Sequence, residues 1–199
     1  MIVPSMSIKE IVNEILEDYE SVHKKVCYTV KEVERNLIKS KKYPFVRVYD
    51  YVTPKRKNNW IYLIEVRGKR KVFVSFINYH YTNKGLRVAW LITEEKVALV
   101  NGHLFSRFAE REFIDITNPI DIIKEFFVRN PQIVIRGEKV IENGVTKIFG
   151  TTNTGVVVGT ENEDKIYILK TYLPLRILKG NQVNIANIHK AQLEHYFSA

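Results

Sequence analysis

From Ser7 to about Ser40 apolar residues recur every three or four positions: Ile8, Ile11, Ile15, Tyr19, Val22, Val26, Val30, Val33 and Leu37. Residues so spaced share one face of a helix turning once per 3.6 residues. No glycine or proline interrupts the run, and Ser7 with Glu10 offers a capping box at its start. The pattern predicts one long helix or two abutting ones. A continuous helix would be about 50 Å long, more than the width of a small domain, so it must bend, overhang or pair with another chain. Its 3-4-4 spacing departs from a strict heptad and favours packing along the domain.

At Phe45 the period drops to two. The segments FVRVYDYVT, NWIYLIEV, KVFVSFINYHY and LRVAWLI are separated by PKRKN, RGKR and TNKG, which are turn compositions, so four sequential antiparallel strands are expected. The third has bulky residues on both faces and reads as covered on both. After Thr93-Glu-Glu-Lys96 the run VALV leads to Asn101, the expected N-cap of a short helix ending near Glu112. A second helix, capped by Thr117 or Asn118 with Pro119 in its first turn, runs to Arg129 and stops at Asn130-Pro131. Then come QIVIR, a strand-like VTKIFG, the hairpin GVVVGTENEDKIYILKTYL and a terminal helix from about Asn184 to Phe197. Gly144, Gly150, Gly155 and Gly159 read as turns or bulges, since none opens a helix after a parallel strand.

The expected fold is α+β: a long N-terminal helix, an antiparallel β-sheet, then a helix pair, an antiparallel hairpin and a C-terminal helix. The parts divide at 1–96 and 97–199, or run together as one continuous domain.

Composition adds a compartment and a partner class. The chain is 45% hydrophobic and 27% charged, as in an ordinary globular protein. One cysteine, Cys27, excludes an internal disulfide and a four-cysteine zinc site and suits a reducing compartment. The amino terminus turns acidic and amphipathic where a secretion signal would stay apolar, and no run has the length of a membrane span. A soluble, cytoplasmic protein with no membrane partner is expected. Between Lys39 and Arg87 thirteen lysines and arginines face only Asp50 and Glu65, within a chain of net charge +9. Such a block attracts polyanions, RNA or other nucleic acid first, and the candidate contacts are Lys55, Arg56, Lys57, Arg67, Lys69, Arg70 and Lys71. Lysine-rich turns that keep hairpins soluble would give the same count.

The segment from Asn101 to Glu112 carries the candidate chemistry. At 100° per residue His103, Arg107, Glu110 and Arg111 share one side of the helix, opposite Leu104, Phe105, Phe108 and Ala109. A histidine moves protons near neutral pH, and arginines hold phosphate through forked donors. Any amphipathic helix also has a solvated face, which is the alternative reading. His103-Leu-Phe-Ser-Arg-Phe-Ala-Glu-Arg111 followed by Lys170-Thr-Tyr172 resembles the metal-independent ribonucleases of the barnase, EndoU, colicin and RelE-like class, over about residues 97–180. The resemblance implies toxin-like RNA cleavage without metal or other cofactor. His103 would be acid or base, Arg107 and Arg111 would stabilise charge on phosphorus, and Thr171 or Tyr172 would position the phosphate or share proton transfer. Two other classes stand beside it: a non-enzymatic module binding nucleic acid or protein, and a homo-oligomeric scaffold paired through the N-terminal helix. Cys27 and His23, four apart on a helix, lack the strained turn and oxyanion donors of a hydrolase. His189 and His195, six apart, fall on different faces.

Overall fold

The computed structural model describes residues 1–40, 43–68, 71–135, 140–142, 145–180, 182–184, 186–188 and 191. The fold is α+β, in two compact units, Met1–Val97 and Ala98–Ala199. In chain order the elements are α1 (Ile8–Ser40), β1 (Phe45–Val52), β2 (Asn59–Gly68), β3 (Lys71–Thr82), β4 (Gly85–Thr93), β5 (Lys96–Asn101), α2 (Gly102–Arg111), α3 (Pro119–Arg129), β6 (Val134–Ile135), β7 (Val140–Glu142), β8 (Val145–Thr151), β9 (Gly155–Glu161) and β10 (Tyr167–Pro174), followed by a 3-10 turn at Leu175–Ile177.

In the first unit the long helix is continuous. Its capping box forms in full: the Ser7 N–H donates to Glu10 Oε2 at 2.7 Å and the Glu10 N–H to Ser7 Oγ at 3.3 Å. Its buried stripe is Ile11, Ile15, Asp18, Val22, Val26, Thr29, Val33 and Leu37. The helical period is as expected, but Asp18 takes the core position that apolarity alone assigns to Tyr19, which is only half-buried. Asp18 and Thr29 are there because the sheet offers them donors: the Trp60 indole N–H reaches Asp18 Oδ2 at 2.9 Å, and the Tyr62 hydroxyl lies 3.2 Å from Thr29 Oγ1. Trp60 and Tyr62, two apart on β2, therefore face the helix together.

Strands β1 to β4 form the expected antiparallel series, each paired with its sequence neighbour. Along β2, Trp60 to Val66 is buried without alternation, so both faces of this strand are covered. On β3 burial likewise falls on both faces, through Ser75 and Ile77 on one and Asn78 and His80 on the other.

In the second unit α2 and α3 begin and end close to expectation. Asn101 occupies the N-cap of α2 but its side chain makes no capping bond, whereas Asn118 Oδ1 accepts from the Ile120 N–H at 2.9 Å. VALV, expected only as a lead-in, is strand β5. It pairs in parallel with β10, Tyr167 against Ala98 and Leu169 against Val100. The sheet order is β5-β10-β9-β8-β6, with β7 on β8, and all pairs but β5–β10 are antiparallel. Phe105, Phe108, Phe126 and Tyr172 interlock edge to face: Phe108 lies 5.0 Å from Phe126 and 5.3 Å from Tyr172. On the opposite face Leu178 and Ala186 pack with Val156, Val158 and Leu173. Gly159 sits in β9 where its backbone meets β10, because a Cβ there would fall 2.1 Å from the Ile168 carbonyl oxygen. Of the expected terminal helix, 182–184, 186–188 and 191 are helical, and His189 and His195 lie outside the described residues. Among the described residues no helix is long and apolar enough to cross a membrane.

Candidate nucleic-acid interface

The five residues expected to carry phosphodiester chemistry fall in three places. His103 and Arg107 meet on the exposed side of α2, where Arg107 Nε donates to His103 Nε2 at 3.3 Å and Arg107 Nη1 donates to Glu110 at 2.7 Å. Arg111 turns the other way, its Nη1 donating to the Tyr172 carbonyl, so it ties α2 to β10. Tyr172 is fully buried, its hydroxyl 2.8 Å from Glu112 Oε1 and 2.9 Å from Thr154 Oγ1. Burial first, then Glu112, raises this phenol's pKa well above its ordinary value, against a Thr154 hydrogen bond that lowers it. Thr171 is the next residue on β10 and pairs with Val158, whose side chain belongs to the opposite face of the sheet from α2. The strand thus sends Thr171 away from His103.

What the local pattern does not mark is the role of Glu112. Beside Tyr172 it receives Arg176 Nη1 at 3.4 Å, while Thr154 donates through its N–H and hydroxyl to Asn130 Oδ1 at 2.9 and 2.8 Å. This polar knot joins the ends of α2 and α3 to the β8–β9 turn and to β10. No spacing rule reaches across those four elements. Among the described residues no group of three or more His, Cys, Asp or Glu is arranged to hold a metal.

The basic block divides more informatively. The first unit holds nineteen lysines and arginines against eleven carboxylates, and the second twelve against eleven, so the excess belongs to the first. Within that unit α1 is itself polarised. Glu10, Glu14, Glu17, Asp18 and Glu20 outnumber Lys9 in its first half, and Lys24, Lys25, Lys31, Arg35 and Lys39 outnumber Glu32 and Glu34 in its second, a bias that suits the helix dipole.

The acidic half faces the β1–β2 turn and pairs with its arginine. Arg56 donates to Glu14 and, at 2.6 Å, to Glu17. Asn58 Nδ2 reaches Glu14 at 3.1 Å and Asp18 at 3.0 Å, and the Thr53 hydroxyl donates to Asp18 at 2.9 Å. Burial alone would raise the Glu14 pKa, but the amino-terminal ammonium, Asn58 and Arg56 outweigh it and hold the carboxyl below its ordinary value. Of the three candidates in this turn Arg56 is thus a structural tether, and Lys55 and Lys57 remain exposed.

At the other end of the sheet Phe45, which opens β1, pairs with Val66 on β2, and Val66 with Val72 at the start of β3. Arg47 and Lys71 are exposed here. Arg67 donates through Nε to Glu65 at 2.7 Å and lies 5.5 Å from the Phe73 ring centre, and Arg47 lies 5.3 Å from that of Phe45. Lys69 and Arg70, candidates in the same turn, lie outside the described residues. Comparison of the chain with protein-family models, with curated proteins and with solved structures gives no match in any of the three.

Proposed function

We propose that this protein binds nucleic acid, without cutting it, through the β2–β3 end of its first unit. The observation that carries the reading is the aromatic backing of cations at this end: the exposed Arg47 lies near the Phe45 ring and Arg67 near that of Phe73, whereas at the β1–β2 turn Arg56 is held by Glu14 and Glu17 and the exposed cations are lysines. Guanidiniums set against rings offer planar, forked donors to phosphate and base. Cleavage is supported less well. Arg111 and the Tyr172 hydroxyl are engaged inside the fold, and Thr171 faces away from His103.

The test is binding as a function of salt. Reversing Arg47 and Lys71 to Glu should weaken binding and flatten its salt dependence, by about 0.7 to 0.9 in the log–log slope for each phosphate that is no longer neutralised. Reversing Lys55 and Lys57 should leave both nearly unchanged. Equal weakening from the two ends would remove the assignment of the surface. An unstructured RNA should stay intact with the wild-type protein in EDTA, and cleavage that disappears in His103→Ala would replace binding by catalysis.

A further inference from the structure

Resting on that reading, we infer that the β2–β3 end takes unpaired nucleotides, with a base stacked on the Arg47 guanidinium that Phe45 backs. Arg47 is exposed and lies 5.3 Å from the Phe45 ring centre. An exposed guanidinium set beside an aromatic ring offers a planar cation on which bases of single strands can stack. The same construction recurs at Arg67 over Phe73, 5.5 Å apart, where the Glu65 carboxylate already answers the charge. There the plane, more than the charge, is what Arg67 can contribute.

A second observation points to unpaired bases. Phe45 opens β1, which stands at the end of the strand order beyond β2. A terminal strand presents backbone N–H and C=O groups on its outer side. Such groups can meet the Watson–Crick edge of a base lying on Arg47, as side chains and backbone do in modules that read splayed single strands. Tyr43, exposed two residues earlier, offers a further ring beside the same strand. A duplex hides both its base faces and its Watson–Crick edges, so neither feature has a use on one.

The experiment is fluorescence anisotropy with the full-length protein, using an oligouridylate of about 20 nucleotides and a mixed-sequence RNA duplex of similar length, across a salt series. The single strand is expected to bind at least about tenfold more tightly. Arg47→Lys keeps the charge and discards the plane, at an exposed site where folding does not depend on it. It should weaken binding of the single strand about tenfold, leave the duplex unaffected and keep the salt slope. Equal affinity for the two RNAs, or an Arg47→Lys protein that retains the preference, overturns the stacking site while leaving nucleic-acid binding in place. Absence of binding to both RNAs overturns the binding reading and this one with it.

Discussion

Replacing Asp18 by alanine should destabilise the first unit about as much as truncating one of the buried aliphatic residues of α1. The carboxylate is 2% exposed, and one of its oxygens receives the Trp60 indole, the Asn58 amide and the Thr53 hydroxyl at 2.9, 3.0 and 2.9 Å. Asn58 keeps a bond to Glu14 after the change, so the groups left without a partner are chiefly the indole and the Thr53 hydroxyl. Each orphaned donor costs about 1–3 kcal/mol, offset in part because the buried charge also goes, and we expect a net destabilisation of about 3–4 kcal/mol. For a domain of about 100 residues that is a fall in Tm of roughly 15–25 °C. Asp18→Asn keeps an oxygen for the indole and removes only the charge assistance, so about 1–2 kcal/mol is expected. Both tryptophans, Trp60 and Trp90, lie in the first unit, so intrinsic fluorescence during thermal or urea unfolding reports on it alone. Glu20→Ala, at an exposed i,i+4 pair with Lys24, is the control and should leave the transition nearly where it is. If Asp18→Ala shifts the transition no more than Glu20→Ala, or if Asn is as harmful as Ala, the carboxylate is not what joins helix to sheet.

Two further measurements address other buried or strained groups. His80 is 5% exposed, its Nδ1 lies 3.0 Å from Asn78 Oδ1, and burial first, then Arg87, pushes its pKa down to about 4. The unfolded chain takes up this proton near pH 6.5 and the folded one does not, so stability is present above that value and falls as pH drops toward 4, by about 2 kcal/mol on reaching pH 5. His80→Gln should remove that slope in urea titrations followed by tryptophan fluorescence, and an unchanged slope would assign it to other groups. Phe113 has φ of 54° and is 86% exposed, at the position after α2 where the Ile114 N–H closes back on the Ala109 carbonyl at 2.9 Å. Glycine is the usual occupant of such a position, so Phe113→Gly should stabilise the second unit by about 0.5–1 kcal/mol, read by far-UV circular dichroism; a lower Tm would refute the strain argument.

The elements are legible where a local period and its punctuation agree. Ser7 and Glu10 announce the start of α1, and the Lys/Gly-rich turns separate β1 to β4, because cap and turn chemistry acts over a few residues. Strand β5 is not, since a four-residue apolar run has no period of its own and its parallel partner β10 lies far along the chain. The site shows the same limit. A count of charges marks the basic block, but only the fold brings Arg56 to Glu14 and Glu17 some forty residues away, and so takes it out of the set of exposed cations. On α1 hydrophobicity draws the stripe through Tyr19 because it ranks tyrosine above aspartate. A buried acid with three donors, Asp18, satisfies the same helical position.

The parallel pairing of β5 with β10 bears on the order in which the molecule is assembled. Every strand pair among β1 to β4 joins neighbours in sequence, so each hairpin can close within microseconds of being made. Ala98 must instead wait for Tyr167, about 70 residues later, and the entropy of closing so long a loop is given up before any pairing compensates it. During synthesis, therefore, β1 to β4 can reach their native pairing while β5 still lacks β10. The interval before β10 arrives is the time at which this chain most exposes an apolar strand edge to other chains.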